Sequence, residues 1–507
     1  MTSVFELLEQ PKRLHLLLGA FLVALSIYSA ISKRLAQAPY PGIPLVGSEN
    51  GYQDAKARYI SSPRRVLQEA VQKAQGVFQV ITDSGPRIII PLRFVDEIKG
   101  DAQLSFAEFV KNDLMGSYSA FGGFIIAMKN DIFQDALRVK LTQALTKITK
   151  SLSEETEMAL TDLFPAQDVW SELTLYPAAV QLVSRLSARA FLGERLSRDA
   201  TWLRISAENT MDLWAAAFVL RQFPKYLRPI MYRILPQIKK LKANEQIARG
   251  IIESEIQRRK TQREKELEAG LEPEEHLDAL QWLEDAAKGR PFDVTHGQLA
   301  FAFGAIHTTS GALFNTLFDL CANPDLMEPL RDEIHAVIGE DGLDTKSSLS
   351  KLVLMDSVLK ESLRLHPVSI MVMNRGAVTS RTLSDGTILP KGASIAVPTL
   401  SMVDGNLYPS PERFDGYRFV RLRQQPGNEG RCQYVATSSE HLGFGHGKHA
   451  CPGRFFAANE LKIVLSHLLM KFDWKLVDGE KRPEDIQWSD MIAPNPAARI
   501  MYKARKV

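Results

Sequence analysis

Ten residues, Phe444-Gly445-His446-Gly447-Lys448-His449-Ala450-Cys451-Pro452-Gly453, constrain this chain more than any other stretch. They set one cysteine among glycine-bracketed turns, directly ahead of a strong helical pattern. Pro452 suits a first helical position, where its missing N–H costs nothing. Cys451 is therefore the expected helix N-cap. Its sulfur would there face unpaired backbone N–H groups and the positive end of a helix dipole, both of which favour thiolate over thiol. Gly447 and Gly453 lack Cβ atoms and are expected to let the backbone pass close to a large flat ligand. Phe444 offers an aromatic wall beside the sulfur.

The other cysteines are Cys321 and Cys432. Three is too few, and odd, for a disulfide framework, which fits a reducing compartment. Lys and Arg number 62 against 59 Asp and Glu, a net charge of +3 that argues neither for nor against nucleic acid. There is no internal repeat, low-complexity tract or long single-sign tail.

One segment stands apart from the rest. Residues 14–31 read LHLLLGAFLVALSIYSAI, and as a helix would span about 27 Å, close to a bilayer core. Basic pairs flank the run, Lys12-Arg13 before and Lys33-Arg34 after, so charge does not set its orientation. The rival reading is a cleaved signal ending at Ala36-Gln37-Ala38; the length of the run and Pro39 argue against it. The expected organisation is a short segment 1–13, a transmembrane anchor 14–31, a basic and proline-rich hinge 32–48 and a catalytic body 49–507.

Helical periodicity dominates the body. Helices are expected over 61–75, in succession over 131–192, and over 234–267 as a charged, mostly solvated helix. The stretch 292–320 is apolar nearly all round and should be a central buried helix. Another helix starts at Asn323-Pro324-Asp325 and should end at Gly339. Helices at 352–365, stopped by His366-Pro367, and 452–470 follow. Alternation over 78–95 about Ser84-Gly85-Pro86 predicts a hairpin, and short strands flank the turns at Asp385-Gly386 and Pro390-Lys391-Gly392. The fold class is mainly α with a small β portion.

The cysteine loop resembles the haem-binding loop of the cytochrome P-450 superfamily, F-x-x-G-x-[RH]-x-C-x-G, at Phe444, Gly447, His449, Cys451 and Gly453. Two further elements stand in order before it. Glu361 and Arg364 lie three apart on one helical face, where they can pair, and Pro411-Glu412-Arg413-Phe414 is similar to the family's P-E-R-F element. The resemblance implies a buried structural triad of Glu361, Arg364 and Arg413. Gly304-Ala305-Ile306-His307-Thr308-Thr309 looks like the family's oxygen-activation motif, with Ala305 in place of the usual Gly and His307 in place of the acid. Thr308 is expected to bond a carbonyl one turn back, open the helix locally and guide protons. His307 can relay protons near neutral pH or simply pack in the helix.

The same resemblance implies the P-450 fold with a single N-terminal transmembrane helix, haem bound through the Cys451 thiolate, and an oxidation performed by the haem. His449, Arg375 and Arg138 are candidates for the haem propionates; for Arg138 a solvated surface arginine competes, because Gln134 occupies the family's Trp slot. Walls near 106–124, 214–218, 301–308 and 368–373 are rich in Phe, Ala and Met, so the substrate should be bulky and apolar. Arg418, Arg421, Arg423, Lys448 and Arg454 are either a docking patch for an acidic electron donor or a solvated face.

The expected partners are an NADPH–cytochrome P-450 reductase, with cytochrome b5 as an optional second donor, a small apolar substrate and a membrane, without nucleic acid. The strings I-H-T-T-S and A-P-N-P-A-A-R look like fungal members of the ent-kaurene oxidase type, which implies a monooxygenase of terpenoid, indole-diterpene or meroterpenoid biosynthesis, in the endoplasmic reticulum with a cytosolic catalytic domain. A haem isomerase or dehydratase on the same fold, and a non-enzymatic haem sensor, are the alternatives.

Overall fold

The computed structural model describes residues 39–74, 76–123, 131–342, 345–428 and 430–506. The expected anchor, the segment before it and the basic start of the hinge lie outside the described residues. Among those described, no helix is long and apolar enough to cross a membrane. The described part of the proline-rich stretch is not a free linker. Gln79 Nε2 donates to the carbonyls of Tyr40 and Ile43, both at 2.7 Å, and Ile43 is buried against the sheet.

Helices carry the body: α1 (Pro63–Lys73), α2 (Phe106–Asp113), α3 (Thr142–Leu163), α4 (Leu175–Leu192), α5 (Ala200–Arg221), α6 (Pro236–Glu268), α7 (Val294–Ala322), α8 (Met327–Asp341), α9 (Val353–Leu365) and α10 (Arg454–Lys471). α7 is apolar on nearly every face, so only the interior satisfies it. It threads the largest core cluster and packs against α4, α5, α9 and α10. Asp293 caps its start, accepting from the His296 N–H at 3.0 Å. α6 buries few residues, as its charged sequence requires.

Two helix ends differ from expectation. α8 runs through Gly339 and stops at Gly342, whose φ of +69° is the left-handed value that ends a helix without a Cβ penalty. α10 begins at Arg454 with Gly453 as its N-cap, so Cys451 and Pro452 precede the helix.

The strands are β1 (Phe78–Thr82), β2 (Gly85–Ile89), β3 (Leu104–Ser105), β4 (Ser171–Thr174), β5 (Met371–Ala377), β6 (Arg381–Thr382), β7 (Ile388–Leu389), β8 (Ser394–Pro398), β9 (Phe472–Leu476), β10 (Ile486–Trp488), β11 (Met491–Ala493) and β12 (Arg499–Ala504). The main sheet runs β1-β2-β8-β5-β3. The β1–β2 hairpin pairs Phe78 with Ile89 and turns at Asp83-Ser84. β2 meets β8 in parallel, and the β5–β8 register slips between Val372 and Arg375. That slip matters for the site, because it falls directly before Arg375, which pairs with Ile395 of β8.

Candidate active site

The sulfur of Cys451 sits in a loop closed by its own backbone, since the Cys451 N–H donates to Phe444 O at 2.8 Å. Burial pushes the thiol up, while the N–H groups of Gly453 and Arg454 and the Arg454 guanidinium pull it down. Burial wins. The expected pull of the backbone N–H groups toward thiolate is present but smaller than the push of burial, and a bound metal cation would hold the group ionised. Gly447 also has another purpose than expected. A Cβ there would lie 2.4 Å from Lys99 Cβ, so its φ of +78° lets the loop press against Lys99. A Cβ on Gly453 would meet nothing within 4 Å. Phe444 packs edge-on to Tyr434 with centroids 5.1 Å apart.

Four nitrogen groups converge beside this loop. Arg138, in the π-helical stretch Ala136–Leu141, donates to Lys448 O at 2.8 Å. Arg375 is 4% exposed, and its guanidinium lies 5.7 Å from the centroid of Phe106. The Phe106 ring in turn lies 6.3 Å from the His449 ring. Burial pushes His449 down to about 4, reinforced by Arg375, Lys448 and Arg138, which places all three cations within its electrostatic reach. Arg375 is itself pushed down to about 10 by burial, with no carboxylate opposing. A buried arginine that bonds only its neighbour's carbonyl, Asn374 O at 2.7 Å, is an expensive arrangement unless an anion completes it. One thiol beside a set of cations with no carboxylate partner among the described residues fits a haem with its two propionates.

An aromatic stack ties the cysteine side to α7. Phe301 of α7 stacks on Phe133 at 4.6 Å and Phe191 at 5.1 Å, and Phe191 meets Phe456 of α10 at 5.4 Å. Along the otherwise buried α7, Gly304 and Thr308 are exposed, one turn apart, and a Cβ on Gly304 would meet nothing within 4 Å. Thr308 Oγ1 donates to Gly304 O at 2.7 Å and lies 3.2 Å from Ala305 O. The bond one turn back is the one expected, yet α7 continues through it as α-helix rather than opening. Ala305 packs against the core cluster, so only the Gly304 side is open.

His307 points elsewhere. Its Nε2 lies 2.7 Å from Ala207 O on α5, and its Nδ1 lies 3.0 Å from Tyr176 Oη on α4. Burial lowers its pKa, with the Ala207 bond opposing. A separate apolar cluster draws on α2, the segment after it, α5 and α6, and takes in Phe303, the α7 residue before Gly304. Trp214 and Phe303 belong to it, with ring centroids 6.5 Å apart.

The buried charge triad is real, but its third member differs from the expected one. Arg364 Nε and Nη2 hold Glu361 at 2.8 and 2.9 Å, and the other cation is Arg418. Arg413 is exposed and contributes only its carbonyl, which accepts from Arg418 Nη2 at 3.1 Å. The chain turns after Phe414, so the Pro-Glu-Arg-Phe stretch supplies backbone acceptors while Arg418 enters the core. Arg418 is thereby lost to any surface patch. Arg454 is half-buried and bonds Cys451 O at 2.9 Å and Val435 O at 3.2 Å. Sequence reasoning missed Arg418 because nothing local distinguishes it from Arg421 or Arg423. It missed Tyr176 because a lone Tyr in a helix carries no signal.

A family model described as Cytochrome P450 matches residues 57–502. The cytochrome P450 monooxygenase adrA of Penicillium rubens is 38% identical over 494 residues, 96% of this chain and 96% of its own. ntnM of Nectria sp., also a cytochrome P450 monooxygenase, is 37% identical over 96% of this chain and 92% of its own. Among solved structures, the retinoic acid-bound cyanobacterial CYP120A1 aligns with a TM-score of 0.63 at 19% identity, over 91% of this chain and 99% of that one, a likeness of fold.

Proposed function

The chain belongs to the cytochrome P450 family, and from that premise we propose that Cys451 is the axial ligand of its haem and that the enzyme oxidises a bulky apolar terpenoid, indole-diterpene or meroterpenoid of fungal secondary metabolism. The protein is a monooxygenase; it uses haem held by a cysteine thiolate, binds an organic substrate and draws electrons from a redox partner. Of the three cysteines, Cys321 is buried in the helical core and Cys432 against Tyr408 and Phe419, which leaves Cys451 as the ligand. The observation that carries the assignment is the set of Arg375, Arg138, Lys448 and His449, which has no carboxylate partner among the described residues.

In this reading the haem supplies oxygen activation. Arg375, Arg138 and His449 would hold its propionates and Phe444 would offer it an aromatic wall beside Cys451. Gly304, where a Cβ would meet nothing within 4 Å, would leave room beside it on α7. Thr308 Oγ holds a proton at the open side of α7 and can hand it on, because its hydroxyl is both donor and acceptor. The apolar cluster around Phe303 excludes water and orients an apolar substrate. Glu361, Arg364 and Arg418 keep the backbone under the cysteine loop fixed.

Residues 14–31 anchor the enzyme in the endoplasmic reticulum membrane, 32–48 lead to the body, and 49–507 form a cytosolic catalytic domain served by an NADPH–cytochrome P450 reductase, with cytochrome b5 as an optional second donor. The apolar length of 14–31 supports this. The test is reconstitution with that reductase, NADPH and a panel of polycyclic terpenoids under 18O2. Product carrying one labelled oxygen is expected from wild type and none from Cys451→Ala. Label-free product formed without NADPH would overturn the reading in favour of an isomerase or dehydratase.

A further inference from the structure

His307 occupies the place in α7 where an acid was expected, and its surroundings describe a different task. The Ala207 carbonyl can only accept, so the nitrogen 2.7 Å away, Nε2, carries the hydrogen. In the neutral ring Nδ1 is then an acceptor, and it takes the Tyr176 hydroxyl at 3.0 Å. Both nitrogens are thus spent on groups from two other helices. One residue further, about 100° round the helix, Thr308 turns to the exposed side together with Gly304. Neighbouring positions have divided the work.

Ala207 lies in α5, whose own i+4 ladder already uses that carbonyl; the imidazole adds a second bond across to α7. α5 also carries Trp214, which faces Phe303 of α7. Beside their apolar packing, α5 and α7 are thus joined next to Gly304 and Thr308 by one polar bond and an aromatic contact. We propose that His307, braced by Tyr176, is a positioning residue that sets the height of α5 over the open face of α7, and so determines which part of a bulky substrate reaches that face. The inference rests on the monooxygenase reading for its consequence, but its geometry does not.

The test uses ferric, haem-loaded protein and three variants. The Gln amide nitrogen of His307→Gln can reach where Nε2 was and restore the Ala207 bond. His307→Asn is too short to do so but retains a partner for Tyr176. His307→Ala keeps neither. Hydrogen exchange over residues 200–221 should rise about tenfold in the Ala and Asn variants and stay near wild type in Gln, as loss of one buried hydrogen bond predicts. The ratio of dissociation constants for imidazole and the bulkier 4-phenylimidazole, read from the Soret shift, should change about threefold in Asn and hold in Gln.

A proton relay predicts otherwise. Gln does not titrate, so it would release as much peroxide per NADPH as Ala, and exchange over 200–221 would be unmoved. That pattern, or Gln and Asn behaving alike, overturns the proposal. Should His307→Ala fail to load haem, the Gln–Asn comparison alone decides. Failure of the monooxygenase reading would appear separately, as absence of labelled product from wild type with exchange effects intact.

Discussion

Arg418 places its Nε 3.0 Å from both carboxylate oxygens of Glu361, in a site where Glu361 is fully buried. With Arg364 on the other side, one carboxylate serves two guanidinium groups. The remaining N–H groups reach the carbonyls of Met402 and Pro409, at 2.6 and 2.7 Å. Removing Arg418 takes two charge-assisted bonds from Glu361, which keeps Arg364 alone, and strands the carbonyls of Pro409, Ser410 and Arg413. Arg418→Ala should lower stability by about 3–5 kcal/mol, the range for breaking a buried pair. Arg413→Ala, an exposed side chain, should change it by less than about 0.5 kcal/mol. Denaturant melts of the two haem-loaded variants check this; equal losses would return the third place to Arg413.

The cations beside the Cys451 loop predict haem retention rather than folding. Arg375 is buried and Arg138 is exposed, so they should not contribute alike. A charge-assisted bond to a propionate is worth about 1.5–3 kcal/mol. Arg375→Leu should speed haem loss to apomyoglobin by roughly tenfold or more, whereas Arg138→Ala should speed it only severalfold. Arg375→Leu should also fold at least as well without haem, because the apoprotein no longer buries an unpaired cation. Unchanged transfer rates in both would show that the cluster faces solvent ions instead.

Thr308 Oγ1 has a carbonyl of its own helix to rest on and an open side to serve. Thr308→Ala should therefore keep haem, CO binding and substrate affinity, while NADPH consumption yields less product and more peroxide. Thr308→Ser, which keeps the hydroxyl, should recover most of the coupling. Product, peroxide and NADPH measured together decide it; wild-type coupling in the Ala variant would remove Thr308 from proton delivery.

Much of the framework was legible in sequence. The all-apolar run of α7 could only be central, and the Ser84-Gly85-Pro86 signal placed the β1–β2 turn within a residue or two. Cys451, Glu361, Arg364 and Thr308 were named through the resemblance of their short motifs to a family's, and short motifs are legible because loop and helix geometry is local. What was not legible depends on which distant group a side chain meets. Arg413 and Arg418 look equally suited to Glu361 until the chain's turn after Phe414 is known. His307 is indistinguishable from a relay until Ala207 and Tyr176, 100 and 131 residues away, close on its ring. Gly447 is also needed against Lys99, which no motif connects to it.

His296 supplies a pH dependence with a definite sign. It stands in the first turn of α7 with Nδ1 3.1 Å from Asp293 and Nε2 3.1 Å from Glu245 of α6, the latter an ion contact without hydrogen-bond alignment. Burial alone would lower its pKa; Asp293 and Glu245 outweigh burial and raise it to about 9. The ring is therefore protonated in the fold at neutral pH, while in the unfolded chain it titrates near 6.5. A pKa raised by folding gives stability that is fully present below about 6.5 and lost as pH rises through about 9, at most about 3 kcal/mol. Asp293 and Glu245 are themselves held below their usual range, but their contributions are lost only at acid pH, outside this window. Wild type should thus lose stability between pH 6.5 and 9 relative to His296→Gln, which cannot titrate. The two should differ most at pH 6.5 and converge near pH 9 or above. The slot around the ring is tight, since a Cβ on Gly122 would lie 2.4 Å from Cε1, so Gln is preferred to a bulkier neutral replacement. Thermal melts of the two proteins across that range provide the check; parallel curves would mean that His296 is neutral in the fold and that the Asp293 cap is held by the backbone N–H and Arg249 alone.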